Sequence, residues 1–207
     1  MQINIEKRHL VIFGLIIAGL IVIVSGIFVI AYNSAGNPAV FGHSANEIEG
    51  LNQIMIVVDQ KPAGTDGGTF TSGDWRTRNL TTIKYNSITG ASLSNNRITL
   101  PAGTYYIRAS APAYSNDEDL NNHKIKLRNV NDNTDVIIGT SEYARGMGYG
   151  GDYAHLTTRS FLEGVFTISS TKSFEIQHRC SSTGSFGVAS NFGVDEIYTQ
   201  VFIQKIG

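Results

Sequence analysis

Apolar and polar residues alternate with a period of two along much of the chain after residue 50. The clearest case lies at its centre, where Ile98 to Pro112 reads ITLPAGTYYIRASAP. Apolar residues lead into a Pro-Ala-Gly turn, in which Pro101 fixes its own φ and Gly103 is free to take φ > 0. Beyond the turn Tyr105, Ile107 and Ala109 fall on one face, and Tyr106, Arg108 and Ser110 on the other. That period, with aromatic and β-branched residues, predicts a strand rather than a helix. We read it as the central strand of a β-sandwich, stopping at Pro112.

Shorter runs of the same kind surround it. Leu51–Val58 is the first predicted strand, with Ile54, Ile56 and Val58 on one face and Met55 and Val57 on the other. Both faces are apolar, which predicts burial on both sides. Thr82–Tyr85 is a short strand. His123–Val130 turns Ile125 and Leu127 inward and Lys124, Lys126 and Arg128 to water. A turn at Asn131–Thr134 then leads to a return strand, Asp135–Gly139. Phe161–Ile168 and Lys172–Cys180 form a pair around Ser169-Ser170-Thr171, with Phe174, Ile176, His178 and Cys180 on one face. The last strand, Glu196–Ile206, has Ile197, Val201 and Ile203 on one face and Tyr198, Phe202 and Ile206 on the other. Lys61–Asp74, Ser141–Ser160 and Ser181–Asp195 are Gly-rich loops.

The start of the chain has a different pattern. Leu10–Ala31 is an unbroken apolar run without charge, long enough as a helix to span about 30 Å of hydrocarbon. Lys7 and Arg8 precede it, so residues 1–9 are expected in the cytoplasm and the remainder outside. The run exceeds the usual signal-peptide core, which favours a retained signal anchor over a cleaved signal peptide. Residues 32–50 are a linker rich in Gly, Asn, Ser and Ala, and residues 51–207 are one β-domain.

Composition narrows the function more than it defines it. A net charge of −1 gives no reason to expect nucleic acid as a partner. Gly is abundant and proline sparse, with 22 and 4 residues, as suits an all-β domain with many turns. The single cysteine, Cys180, cannot form an intrachain disulfide and is expected to be a buried small apolar residue.

The run LPAGTYYIRASAPAY, followed by HKIKLRN, the VFTI…SFEIQHRC pair and the last strand EIYTQVFIQKIG, resembles the jelly-roll family of tumour necrosis factor and the complement globular head. The resemblance covers the chain from Trp75 to its end and rests on pattern, since no invariant catalytic set defines that family. It implies an all-β jelly-roll β-sandwich, here preceded by one N-terminal transmembrane helix, and a homotrimer. The residues point the same way. The first and last strands are apolar on both faces, and one face needs a partner if no apolar patch is to stay exposed. Met55, Val57, Tyr106, Tyr198, Phe202 and Ile206 are the expected contact residues. A monomer whose second face is covered by the Lys61–Asp74 loop is the alternative.

Candidate chemistry is sparse. Gly146, Gly148 and Gly151 satisfy G-x-G-x-x-G but lie among strands, without the helix that a dinucleotide site requires. The same loop can instead serve recognition, with Tyr143, Tyr149 and Tyr153 as amphipathic contacts for a glycan or protein ligand. Asp117–Asp119 and Asn131, Asp132, Asn133 and Asp135 are oxygen-rich loops that could take calcium; solvated turns explain them better, and no cofactor is expected. Asn79 opens an N-glycosylation sequon, relevant only in a glycosylating host. His123, His155 and His178 show no ligand spacing, and no nucleophile motif is present. The expected function is non-enzymatic: an extracytoplasmic, membrane-anchored trimeric module for surface binding or structure. A filament or virion fibre tip is the alternative, and a glycan-acting enzyme ranks below both.

Overall fold

The computed structural model describes residues 16–17, 53–115, 121–144, 147–149, 152–154 and 156–207. The chain divides into two compact units, Met1–Leu51 and Asn52–Gly207. In the first, the described residues Ile16 and Ile17 are helical; the rest of the predicted span lies outside the described residues. Among the described residues no helix is long and apolar enough to cross a membrane.

The second unit is all-β. Its strands are β1 (Gln53–Lys61), β2 (Thr69–Phe70), β3 (Arg76–Thr77), β4 (Thr82–Asn86), β5 (Ser92–Ser94), β6 (Arg97–Leu100), β7 (Gly103–Ser115) and β8 (Asn121–Asn129). There follow β9 (Thr134–Ile138), β10 (Glu142–Ala144), β11 (Met147–Tyr149), β12 (Asp152–Ala154), β13 (Leu156–Ile168), β14 (Lys172–Cys180), β15 (Gly184–Ser185) and β16 (Glu196–Lys205). The first sheet runs β13-β7-β16-β1-β4, with β15 and β2 continuing past the end of β16 on the same side of β7. The second centres on β8 and β14, flanked by β9 and β10 on one side and by β3, β6 and β5 on the other. All pairings are antiparallel. The chain passes repeatedly between the sheets, at β2–β3, β3–β4, β4–β5, β6–β7, β7–β8, β13–β14 and β14–β15 and between β10 and β13, consistent with a jelly-roll sandwich. A separate hairpin pairs β11 with β12.

The turns follow from residue type. Asn95 and Asn96 take φ of 50° and 63° between β5 and β6, the double positive φ of a tight hairpin turn that asparagine tolerates. Asn133, at φ 55°, closes the β8–β9 hairpin. Gly103 has φ 155°, and a Cβ there would stand 2.7 Å from Lys205 Cε and 2.9 Å from the Gly207 carbonyl oxygen. The turn that opens β7 therefore needs glycine for a second reason: the chain's end packs directly on it, with Thr104 N–H donating to Gly207 O at 2.7 Å.

The core lies between the sheets. Tyr105, Ile107, Ala109 and Ala111 of β7 meet Ile125 and Leu127 of β8, Phe174 and Ile176 of β14, and Val201 and Ile203 of β16, all at most 2% exposed. Each large aliphatic or aromatic side chain so buried contributes about 1.5–3 kcal/mol.

Two expectations need correction. β7 does not stop at Pro112 but runs to Ser115, paired with β13 from Gly103↔Ile168 to Ser115↔Leu156. Proline is tolerated because its missing N–H falls where β16 no longer pairs; the β7–β16 ladder ends at Ser110. The region 141–160 is likewise not one loop, for it holds β10, β11, β12 and the first five residues of β13. Its glycines and polar residues masked strands whose partners are distant in sequence.

Candidate functional site

The outer face of the first sheet is built from three cross-strand rows. One is Tyr85–Ile56–Phe202–Arg108–Glu163 and the next Ile54–Gln204–Tyr106–Val165. The third is Thr82–Val58–Gln200–Ser110–Phe161. Tyr85, Phe161 and Val165 are 52%, 48% and 59% exposed. Tyr106 and Phe202 meet edge-on with ring centroids 6.4 Å apart. Tyr106 Oη donates to Glu163 Oε1 at 2.6 Å, and that bond holds the phenol's pKa above its ordinary value. A depression of about 330 Å³ lies between Ile56, Val58, Phe161 and Phe202. Arg108 and Glu163 share this face, so it joins apolar bulk to one pair of opposite charges.

The structure reassigns part of the expected contact set. Met55 and Val57 are 0% exposed and fill the sandwich core, while Ile54 and Ile56 take the outer face. Two faces equally apolar in sequence left that choice to the register against β4 and β16. Tyr198 is buried within the chain: its hydroxyl donates to Thr65 O at 2.8 Å, and its ring packs against Gly67 and Gly187. The loop after β1 thus covers one corner of the sheet and leaves the three rows open. Tyr106 and Phe202 do lie on the outer face, and Ile206 is 50% exposed just beyond β16. Phe161 and Val165 were missed because β13 alternates with Leu162 and Phe166, which are no more apolar. Only the pairing with β7 separates the two sets.

The other expected sites are dispersed. Tyr143 is exposed on β10, whereas Tyr149 and Tyr153 lie on the β11–β12 hairpin, with Tyr149 opposite Asp152 and Tyr153 opposite Gly148. In the 131–135 turn the acidic and amide oxygens already have partners. Asp135 accepts from Lys126 Nζ and Arg128 Nη1, Asp132 from Lys172 Nζ and Asn129 Nδ2, and Asn133 Oδ1 from Arg128 Nη2. The Lys126 bond, with Arg128 adding to it, pulls the Asp135 carboxyl below its ordinary value. Asp117–Asp119 and His155 lie outside the described residues. Among the described residues no three His, Cys, Asp or Glu side chains converge as metal ligands. Asn79, of the sequon, is half-buried after β3.

A buried polar cluster occupies one end of the sandwich; the alternation of Lys172–Cys180 placed His178 on the inward face, but nothing in the sequence pattern announced Arg78 or Asp59. Arg78 is 0% exposed; its Nε donates to Thr199 Oγ1 at 2.8 Å, and its guanidinium carbon lies 3.6 Å from the Phe186 ring centroid. Burial lowers its pKa to about 9. Beside it His123 Nδ1 and His178 Nε2 share a hydrogen bond of 2.9 Å, and His123 Nε2 meets Thr158 Oγ1 at 2.8 Å. Desolvation, with Arg78 adding to it, lowers the two imidazoles to about 4 and about 2, so both are neutral at pH 7. Asp59 is also buried, with Lys61 Nζ 3.5 Å away, and desolvation raises its carboxyl.

The chain matches no family model and no curated protein. Among solved structures it is similar to murine APRIL at pH 8.0, at 10% identity and TM-score 0.44, over 73% of this chain and 98% of that one. It is also similar to murine APRIL at pH 5.0, at 8% identity and TM-score 0.42, over the same shares.

Proposed function

We propose that this chain is a non-enzymatic jelly-roll module that assembles as a homotrimer through the outer face of its first sheet and presents its remaining surface for binding. The observation that carries the reading is the set of three rows, where exposed Phe161, Val165 and Tyr85 continue the partly covered Ile54, Ile56 and Phe202. An apolar surface of this extent is stabilised by burial against another copy. The trimeric state is what the resemblance to the tumour necrosis factor family implies. The apolar run over residues 10–31 is proposed to hold the module in a membrane with its β-domain outside the cytoplasm.

Phe202→Glu and Val165→Glu test the face. A buried, unpaired carboxylate is costly, so each is expected to abolish amine-reactive cross-linking between copies of the full chain in mild detergent. Ile138→Glu serves as control, because Ile138 is 55% exposed on the second sheet. Equal cross-linking in all three variants would overturn the assignment.

A further inference from the structure

We propose that the hollow beside Trp75 binds an acidic saccharide, a pyranose carrying a carboxylate or sulfate. The hollow measures about 540 Å³ and lies where β8, β10 and β14 meet, lined by Trp75, Asn122, Lys124, Glu142 and Arg179, with His123 beneath. That is ample room for a ligand of a few sugar units.

The charges are what select an anion. Lys124 and Arg179 are direct cross-strand partners on β8 and β14, and like charges in that position destabilise a sheet. Elsewhere on this sheet Lys126 and Arg128 pair with Asp135, Arg97 with Glu175, and Lys172 with Asp132. Lys124 and Arg179 have no ion pair among the described residues. An anion between them would supply a countercharge through charge-assisted hydrogen bonds.

The remaining lining selects a sugar over a bare anion. Trp75 offers an apolar ring against which the C–H face of a pyranose can pack. Its ring is held by Lys126, whose Nζ lies 4.2 Å from the ring centroid while bonded to Asp135 at 2.9 Å. Glu142 accepts from Thr140 Oγ1 at 2.8 Å and has acceptor capacity left for sugar hydroxyls. It would repel an anion that brought none. The floor is stapled, with Asn122 N–H donating to Ser181 Oγ and Ser181 N–H to Asn122 O, both at 2.9 Å. A preformed site loses little entropy on binding.

The site is on the second sheet and does not depend on trimer formation. The test is calorimetric titration of the full chain in detergent with four ligands: a trigalacturonate, a sulfated disaccharide, a neutral galactose trisaccharide and inorganic sulfate. One or both acidic saccharides should bind at least about tenfold more tightly than the neutral sugar or inorganic sulfate, the factor expected for one charge-assisted hydrogen bond. Which acidic arm binds tells carboxylate from sulfate. Arg179→Gln and Trp75→Ala should each weaken that binding by about tenfold, and Phe202→Glu should leave it intact. Arg179 is exposed, so its substitution does not touch the core. Equal binding of the neutral sugar, equal binding of inorganic sulfate, no binding by any ligand, or unchanged affinity in Arg179→Gln would each overturn the proposal.

Discussion

The buried histidine pair makes the domain sensitive to acid in a way that can be calculated and removed. His178 is 1% exposed, with the rings of Phe70 and Phe186 each 6.0 Å away and His123 hydrogen-bonded to it. The ionisable groups facing the pair are Arg78, which is cationic and disfavours a further proton, and the Cys180 thiol, which desolvation keeps protonated and neutral by raising its pKa to about 12. Desolvation lowers the folded-state pKa of His178 from 6.5 to about 2. Below pH 6.5 the unfolded chain therefore binds a proton that the native state refuses, and stability falls as the pH falls. Integrated from pH 7.5 to 4.5, one such group costs about 3 kcal/mol, roughly 6–12 °C in Tm for a domain of this size. His178→Phe keeps an aromatic ring between Phe70 and Phe186 but removes the titration. The assay is the Tm of both proteins at pH 7.5 and 4.5. The wild type should lose about 6–12 °C more than the variant over that interval. Asp135, Glu175 and Glu196, whose carboxyls lie below their ordinary values, and Asp59, whose carboxyl lies above, act equally in both proteins and cancel. Equal losses would show that His178 is not held neutral by burial, and the reasoning would fail.

Two further outcomes follow from the core. Tyr105 Oη donates to Pro101 O at 2.7 Å, tying the central strand to the turn before it. Tyr105→Phe leaves that carbonyl unpaired and should cost about 1–2 kcal/mol in a denaturant titration; no change in midpoint would mean that water already satisfies the carbonyl. Cys180 is 2% exposed, so a maleimide at pH 8 should label it only as fast as the domain opens, and far faster in denaturant. Rapid labelling under native conditions would place the thiol at the surface instead.

The strands were legible where alternation was clean and a turn followed. Lys172–Cys180 is the same in sequence and structure, and Tyr105, Ile107 and Ala109 face the core as their period requires. What stayed hidden was of two kinds. Where both faces of a strand are apolar, as in β1 and β16, periodicity gives two sets without saying which is inside. Ile54 and Ile56 changed places with Met55 and Val57 because register, not composition, decides that. The other kind is burial created by partners remote in sequence. Arg78 and Asp59 carry charge and belong to no clean alternating run, yet they are covered once β3, β8 and the end of β1 converge; His123 shares the inward parity of Ile125 and Leu127. Trp75, Lys124, Glu142 and Arg179 likewise come together only through the pairings of β3, β8, β10 and β14.

Assembly through the first sheet is the central claim, and the mass of the full chain in solution tests it most directly. Sedimentation equilibrium in density-matched detergent should give three chain masses for the wild type and one for Phe202→Glu. A single chain mass for the wild type across the accessible concentration range would contradict the account.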